Sequence, residues 1–523
     1  NGLKESDELN IKDVYRSVLF EQLKTKFGYY KDYNEEDTNK RVENYILLYK
    51  RGLDIPSAAN LVDTERQYGD DLILLASHAY IDLFLKTQQY SYIVQALEIL
   101  VMGLKRSKFN FHLKVTAMRL YCLVGAIEPC YELYVSLECK HIQMDTFSHM
   151  LFHDSLAHHI PDCSEPLLFS IERFYGDSLR EMPDLTTYPY VQQSYTTARD
   201  FRDFYDKIAA TVQRSTSNLE YGLFKLLDNT TPDKALECLQ SDADKIFYKD
   251  EQLEKLHFTA DNSFWDNWHT IPELSTPYIT TSAVTRVSDS ERLIVIKSRA
   301  LHYHLIMQLL ACEPEMARDL FTQLKDSQEK LPCDEDSKPL WEQILKLFNI
   351  GIQILDVTSQ FKEGKADSTL VSSISTQLSE LKENFNASQT KFIEMADGCQ
   401  FVGTTLPLFT MLTNTMLWSC LVLGGVSSNI PNRIRKSAPA EVKEAHKSIR
   451  NDIRTSMNEI QTQLQNLATS VEEIANKSCD LSEIQLPPGC EESDIQEIQK
   501  AISTSYSASF NFLAKKIKQN ARN

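Results

Sequence analysis

Residues 72–86, LILLASHAYIDLFLK, place apolar side chains at the three- and four-residue spacing of an amphipathic helix. The turn TQQYS follows, then a second such run at Tyr92–Lys105, YIVQALEILVMGLK. RSKFN leads to a third run, His112–Val124, and Gly125–Ala126 interrupts before a fourth, Ile127–Leu137. Equivalent points recur at helix-pair distance: Leu85 to Leu123 is 38 residues and Ala96 to Tyr131 is 35. That is close to the roughly 34-residue tetratricopeptide period. Two antiparallel helices cannot bury both apolar faces alone, so neighbouring pairs stack. The pattern predicts an all-α chain beginning as a tetratricopeptide-like helical-repeat solenoid.

Further helices are predicted upstream at Val14–Phe27 and Lys40–Arg51, and downstream at Glu165–Phe174, Ser194–Leu227, Ser288–Leu310 and Pro314–Leu324. The last third changes character. Ile374, Leu378, Leu381 and Phe385 are spaced 4-3-4, and Ile453, Met457, Ile460, Leu464, Leu467, Val471 and Ile474 continue a heptad stripe. Three heptads suit an intramolecular bundle, with an oligomeric coiled coil as the alternative. CDLSEIQLPPGCEESD separates this helix from a final one at Ile495–Ile517. We therefore expect two domains, a solenoid over residues 1–330 and a C-terminal helical bundle over 331–523.

Composition agrees with this reading. At 523 residues the chain exceeds the ~250–300 at which one core stops growing. Glycine (15) and proline (17) are scarce, whereas all-β and dinucleotide-binding folds punctuate themselves with more of both. A net charge of −18 disfavours broad, non-specific nucleic-acid binding. Eleven cysteines without a C-x-x-C pair read as free thiols in a reducing compartment, hence a cytoplasmic protein. The opening NGLKESDELN holds no initiator Met and no apolar run, and is read as the start of a portion of a longer protein. Residues 401–426 carry no charge and are long enough to span a bilayer, but Thr404, Thr405, Pro407, Thr410, Thr413, Asn414, Thr415 and Ser419 favour a buried core helix over a membrane one.

No reaction centre is legible. There is no G-x-x-x-x-G-K-[ST] loop, no G-x-G-x-x-G, no G-x-S-x-G elbow and no Arg/Gln-x-x-Gly-x-Gly/Ala turn for an acyl-CoA pyrophosphate. No cofactor is expected. His141, His149, His153, His158 and His159 are close in sequence, and His149/His153 have zinc-compatible spacing. They lack the intervening glutamate and a following ligand, so ordinary structural histidines are expected. The basic clusters Lys105-Arg106-Ser-Lys108, Arg433-Ile-Arg435-Lys436 and Lys515-Lys516-Ile-Lys518 read as solvated helix ends. Their sharper reading is local contact with ribosomal RNA, made salt-dependent by counterion release.

The run from residue 72 to 146, above all RLYCLVGAIEPCYELYVSLECKHIQMDT at Arg119–Thr146, resembles the auxiliary subunit of the NatB N-terminal acetyltransferase. LLYKRGLDIPSAANLVDTERQYGDDLILL (Leu47–Leu75) resembles that family's lead-in, Leu256–Leu310 its Trp/Phe-containing segment, and LFTMLTNTMLWSC more loosely its apolar C-terminal helix. The resemblance implies a non-catalytic scaffold. It would hold a separate catalytic acetyltransferase subunit and help place it at the ribosome, for acetylation of nascent chains beginning Met-Asp, Met-Glu, Met-Asn or Met-Gln. The alternative is a generic helical-repeat adaptor. Lys140, His141, Gln143 and Asp145 are the partner-contact candidates, with Asp145 also expected to cap a helix starting at Thr146. No membrane partner is expected.

Overall fold

Two helices, α1 (Ile11–Lys26) and α2 (Glu35–Leu53), lead into the four apolar runs, which fold as α3 (Asp70–Thr87), α4 (Ser91–Arg106), α5 (Phe111–Leu123) and α6 (Ile127–Val135). The short α7 (Gln143–Thr146) and α8 (Phe152–Ala157) precede a long hairpin of α9 (Pro161–Val191) and α10 (Tyr195–Ala209). Then come α11 (Val212–Leu226), α12 (Pro232–Asp242), α13 (Asp250–Leu253), α14 (Asp289–Ala311), α15 (Pro314–Gln328) and α16 (Lys338–Glu363). The chain finishes with α17 (Ser368–Asp397), α18 (Leu406–Ser428), α19 (Ala440–Ala475) and α20 (Glu492–Ala521). The computed structural model describes residues 10–521 except 63, 159–160, 227–230, 247–248, 262–288, 332–335, 434–437 and 477–478. Among the described residues the fold is all-α, apart from a single parallel bridge between Thr211 and His257.

From α2 to α6 each helix packs against the next. The turns between them are fixed by side chains. Asn110 caps α5 by accepting from the His112 and Leu113 amides at 3.1 and 3.3 Å. Its Nδ2 donates to Asp70 Oδ2 at 2.7 Å, and Ser107 Oγ donates to Asp70 Oδ1 at 3.1 Å. Asp70 is buried at the first turn of α3, and desolvation raises its pKa against these hydrogen bonds. One asparagine thus joins two successive helix pairs. Asn110→Ala is expected to cost about 2–3 kcal/mol, the loss of a cap plus a buried carboxylate left short of donors. A urea midpoint unchanged from wild type would refute it.

The uncharged segment forms α18, which packs on α8, α12, α14, α16, α17, α19 and α20. It is apolar and long enough to cross a membrane, and two-thirds of its most apolar stretch is buried (67%). Hydroxyls on such a helix can bond back to their own backbone. Thr415 donates to the Met411 carbonyl at 2.8 Å and Ser419 to that of Thr415 at 2.7 Å. The heptad stripe of α19 is buried at Ile453, Ile460, Leu464, Leu467, Val471 and Ile474, facing α17, α18 and α20.

Two local expectations differ from the structure. Glu165–Phe174 is only part of α9, which runs 31 residues through Pro166, Pro183 and Pro189. A proline strips the i−4 carbonyl of its donor; in the exposed outer half of the hairpin that carbonyl can turn to water, and hydroxyls answer others, Thr186 Oγ1 donating to the Pro183 carbonyl at 2.7 Å. The single helix predicted at Ser194–Leu227 is broken at Ala210–Thr211, where the Val212 amide donates to the His257 carbonyl at 2.9 Å and the His257 amide to that of Ala210 at 2.8 Å.

The final helix returns to the start of the array. α20 packs on α4 and α6 as well as on α18 and α19. Tyr506 Oη donates to the Val124 carbonyl, Ser505 Oγ accepts from the Glu128 amide at 3.2 Å, and Gln95 Nε2 donates to the Gln485 carbonyl at 2.8 Å. One buried apolar core extends from Val14 to Ile517.

Candidate partner-binding surface

The turn after α6 is built by local hydrogen bonds. The Lys140 amide donates to Gln143 Oε1 at 3.0 Å, and Lys140 Nζ lies 3.3 Å from Glu138 Oε2. His141 adopts a left-handed conformation (φ 55°), a costly choice for a non-glycine residue that turns its imidazole outward into solvent. Lys140, His141 and Gln143 are exposed, whereas Asp145 is fully buried. The expected cap is not formed: α7 begins at Gln143 and has no side-chain cap. Asp145 instead accepts from the Tyr175 hydroxyl of α9, which lies 3.1 Å from Thr211 Oγ1. Burial, and then the Asp145 carboxylate, push the Tyr175 phenol pKa up. Asp145 therefore supports the turn from beneath, while the other three candidates form its outer surface.

The basic candidates do not form one patch. Lys105 is committed to the carboxylates of Asp494 and Glu497 at the start of α20, at 2.5 and 3.1 Å. Arg106 and Lys108 beside it are exposed. Lys515 is exposed at the far end of α20, roughly 30 Å away by helical rise. Its neighbour Lys516 is buried, at 8% exposure. Arg433 is exposed; Arg435 and Lys436 lie outside the described residues. So do residues 263–274, SFWDNWHTIPEL, the Trp/Phe-containing part of the Leu256–Leu310 resemblance.

Of the clustered histidines, His149 and His158 are buried. His158 Nδ1 sits 2.7 Å from the Asp154 carbonyl, and burial lowers its pKa to about 4. Among the described residues no three His, Cys, Asp or Glu side chains are grouped to hold a metal. The described cysteines are free thiols, with Cys122 and Cys130 sulfurs 3.3 Å apart in the core.

Two apolar surfaces escaped the sequence reading. Tyr15, Leu19, Phe20, Leu23 and Phe27 line an exposed face of α1 and the turn after it. Tyr188, Tyr190, Val191 and Tyr195 crowd the tip of the α9–α10 hairpin, with the Tyr190 and Tyr195 rings 6.0 Å apart. Aromatic side chains are the commonest anchors of protein interfaces. The signal was present as the aromatic-rich TTYPYVQQSY, and reading the hairpin as a long protrusion was needed to see that none of the described residues covers it.

Residues 1–262 match the family described as the non-catalytic subunit of the N-acetyltransferase B complex (NatB). The chain is 28% identical over 220 residues to the human protein named N-alpha-acetyltransferase 25, NatB auxiliary subunit, a match covering 42% of this chain and 22% of the relative. A subunit of the N-terminal acetyltransferase B complex of Schizosaccharomyces pombe is 27% identical over 240 residues, covering 44% of this chain and 29% of that protein. These matches span less than a third of the length of either relative. Among solved structures, a chain of the NatB acetyltransferase complex bound to a bisubstrate inhibitor has the same fold, with a TM-score of 0.61 at 13% identity, over 97% of this chain and 65% of that one. The repeat array that carries the Lys140–Asp145 turn is the part that the family profile recognises, and the chain belongs to the family of non-catalytic NatB subunits.

Proposed function

We propose that this chain is a scaffold for the catalytic acetyltransferase subunit of NatB. It helps place that enzyme at the ribosome, in the cytoplasm, where nascent chains beginning Met-Asp, Met-Glu, Met-Asn or Met-Gln are acetylated. The observation that carries the reading is the match of residues 1–262 to the non-catalytic subunit family. The exposed Lys140, His141 and Gln143 are assigned to the partner, and the exposed Arg106, Lys108, Arg433 and Lys515 to ribosomal RNA. The division into a solenoid over residues 1–330 and a bundle over 331–523 belongs to the same proposal.

The purified chain mixed with the catalytic subunit is expected to co-elute as a one-to-one complex. The mixture, and not this chain alone, acetylates a Met-Asp peptide. Acetylation by the isolated chain, or separate elution of the two proteins, would overturn the reading. The second outcome would leave a generic helical adaptor.

A further inference from the structure

Four buried polar atoms without a hydrogen-bond partner among the described residues belong to the lining of a single cavity: Trp418 Nε1, Arg292 Nε, Thr259 Oγ1 and Thr410 Oγ1. The cavity is half-enclosed, with a volume of about 290 Å³, and lies between α8, α11, α14, α16 and α18. Its walls are mainly apolar, including Leu219, Val295, Ile296, Ile344, Leu408 and Met411. Apolar walls with a few placed polar groups are the pattern of small-molecule sites. In well-packed proteins such groups normally find partners.

The sign of the polar groups selects the ligand. The indole and Nε–H groups can only donate, and the two hydroxyls can donate as well. Glu220 is the one carboxylate in the lining among the described residues, and it is already taken by Arg299, through hydrogen bonds of 3.0 and 2.8 Å. Arg292 has no ion-pair partner among the described residues and leaves a positive charge at the cavity.

The helices also set the spacing. His302 of α14 meets the Trp418 ring edge-on at 4.6 Å, and farther along Leu310 lies against Gly425, so α14 and α18 run parallel. By that register Arg292 is level with Leu408, half a turn from Thr410, and Trp418 sits eight residues beyond Thr410, roughly 12 Å away. Neutral His302, held so by burial and by the charge of Arg299, backs the Trp418 ring and is itself held edge-on against Phe348 at 4.9 Å. The indole is thus fixed in place.

We propose that this cavity binds an extended medium-chain carboxylate. Its carboxylate lies at Arg292, Thr410 and Thr259, its methylenes lie along the apolar walls, and a neutral oxygen acceptor at its far end meets Trp418 Nε1. A chain of about ten bonds, at ~1.2 Å per bond, spans the distance. The site is independent of the scaffold reading, since it uses none of the surface assigned to the partner or the ribosome.

The test is calorimetric titration of the full chain with 10-hydroxydecanoate and with decanoate. Both bind, the hydroxylated acid more tightly. Arg292→Gln weakens both about tenfold or more, as expected for losing a charged donor. Trp418→Phe keeps the ring but removes the N–H, so it abolishes the advantage of the hydroxyl and leaves decanoate unchanged. Absence of binding by the wild type, binding indifferent to Arg292→Gln, or equal weakening of both acids by Trp418→Phe would each overturn the assignment. Far-ultraviolet circular dichroism matching the wild type shows that each variant is folded.

Discussion

Gly403→Ala is expected to break the junction between the two ends of the chain. Gly403 lies in the 3-10 turn Val402–Thr405 that delivers α18 into the core. A Cβ there would sit 2.1 Å from Tyr506 Cε1, 2.7 Å from Tyr506 Cδ1 and 2.8 Å from the Gly125 carbonyl oxygen. Neither obstacle can yield. Gly125, at φ 75°, is itself so close that its own Cβ would meet Gly403 C at 2.3 Å, and the fully buried Tyr506 is held by its hydrogen bond to the Val124 carbonyl. Overpacking commonly costs ~1–3 kcal/mol, and this site meets backbone and a fixed ring together, so a loss of at least about 3 kcal/mol in urea unfolding is expected. Gly176 supplies the control: it lies in α9 with nothing within 4 Å of a Cβ, and Gly176→Ala should stabilise by about 1 kcal/mol. Combining Gly403→Ala with Tyr506→Leu should give less than the sum of the two losses, because the second change removes the clashing ring atoms. Equal effects of the two glycine variants would refute the steric account.

Glu98→Gln is expected to change how stability depends on pH. Glu98 is fully buried on α4, and neither carboxylate oxygen has a hydrogen-bond partner among the described residues. Burial, and then the charge of Asp494, raise its pKa from 4.5 to about 8. The folded protein therefore holds a proton that the unfolded chain releases above pH 4.5. Stability contributed by this group is complete below that value and is lost as pH rises toward 8. At ~1.4 kcal/mol per pH unit, with relaxation reducing the total, the loss by pH 8.5 is about 2–4 kcal/mol. The glutamine needs no proton. The variant should match wild type near pH 4.5 and exceed it by that margin at pH 8.5, read from urea midpoints at both values. A gap that grows toward acid would mean that Glu98 is charged and paired.

The sequence reading succeeded where structure depends on neighbours along the chain. The α3–α6 boundaries followed from apolar spacing and from turns such as Ser107–Asn110, and the α19 stripe from its heptads. Long-range partners decided the rest. Nothing in RDFRDFYDKIAATVQRST announces that His257 will clip the chain open at Thr211. Nothing local to Asp145 shows that Tyr175, 30 residues on, will claim its carboxylate in place of a helix amide. Prolines in α9 argued for a stop, and the exposure of the hairpin overrode them. In the candidate site, residue types fixed Lys140, His141 and Gln143 as polar surface, but burial alone separates Lys515 from Lys516.

The return of α20 onto α4 and α6 has a consequence for how the molecule is made. Contacts such as Tyr506–Val124 and Gln95–Gln485 close loops of 382 and 390 residues. During synthesis, at roughly 5–20 residues per second, the early helices wait for tens of seconds before the helix that seals them leaves the exit tunnel. Through that interval their apolar flank is open to water and to other chains. High contact order of this kind slows acquisition of the native state and lengthens the time for which the nascent array is open to off-pathway association.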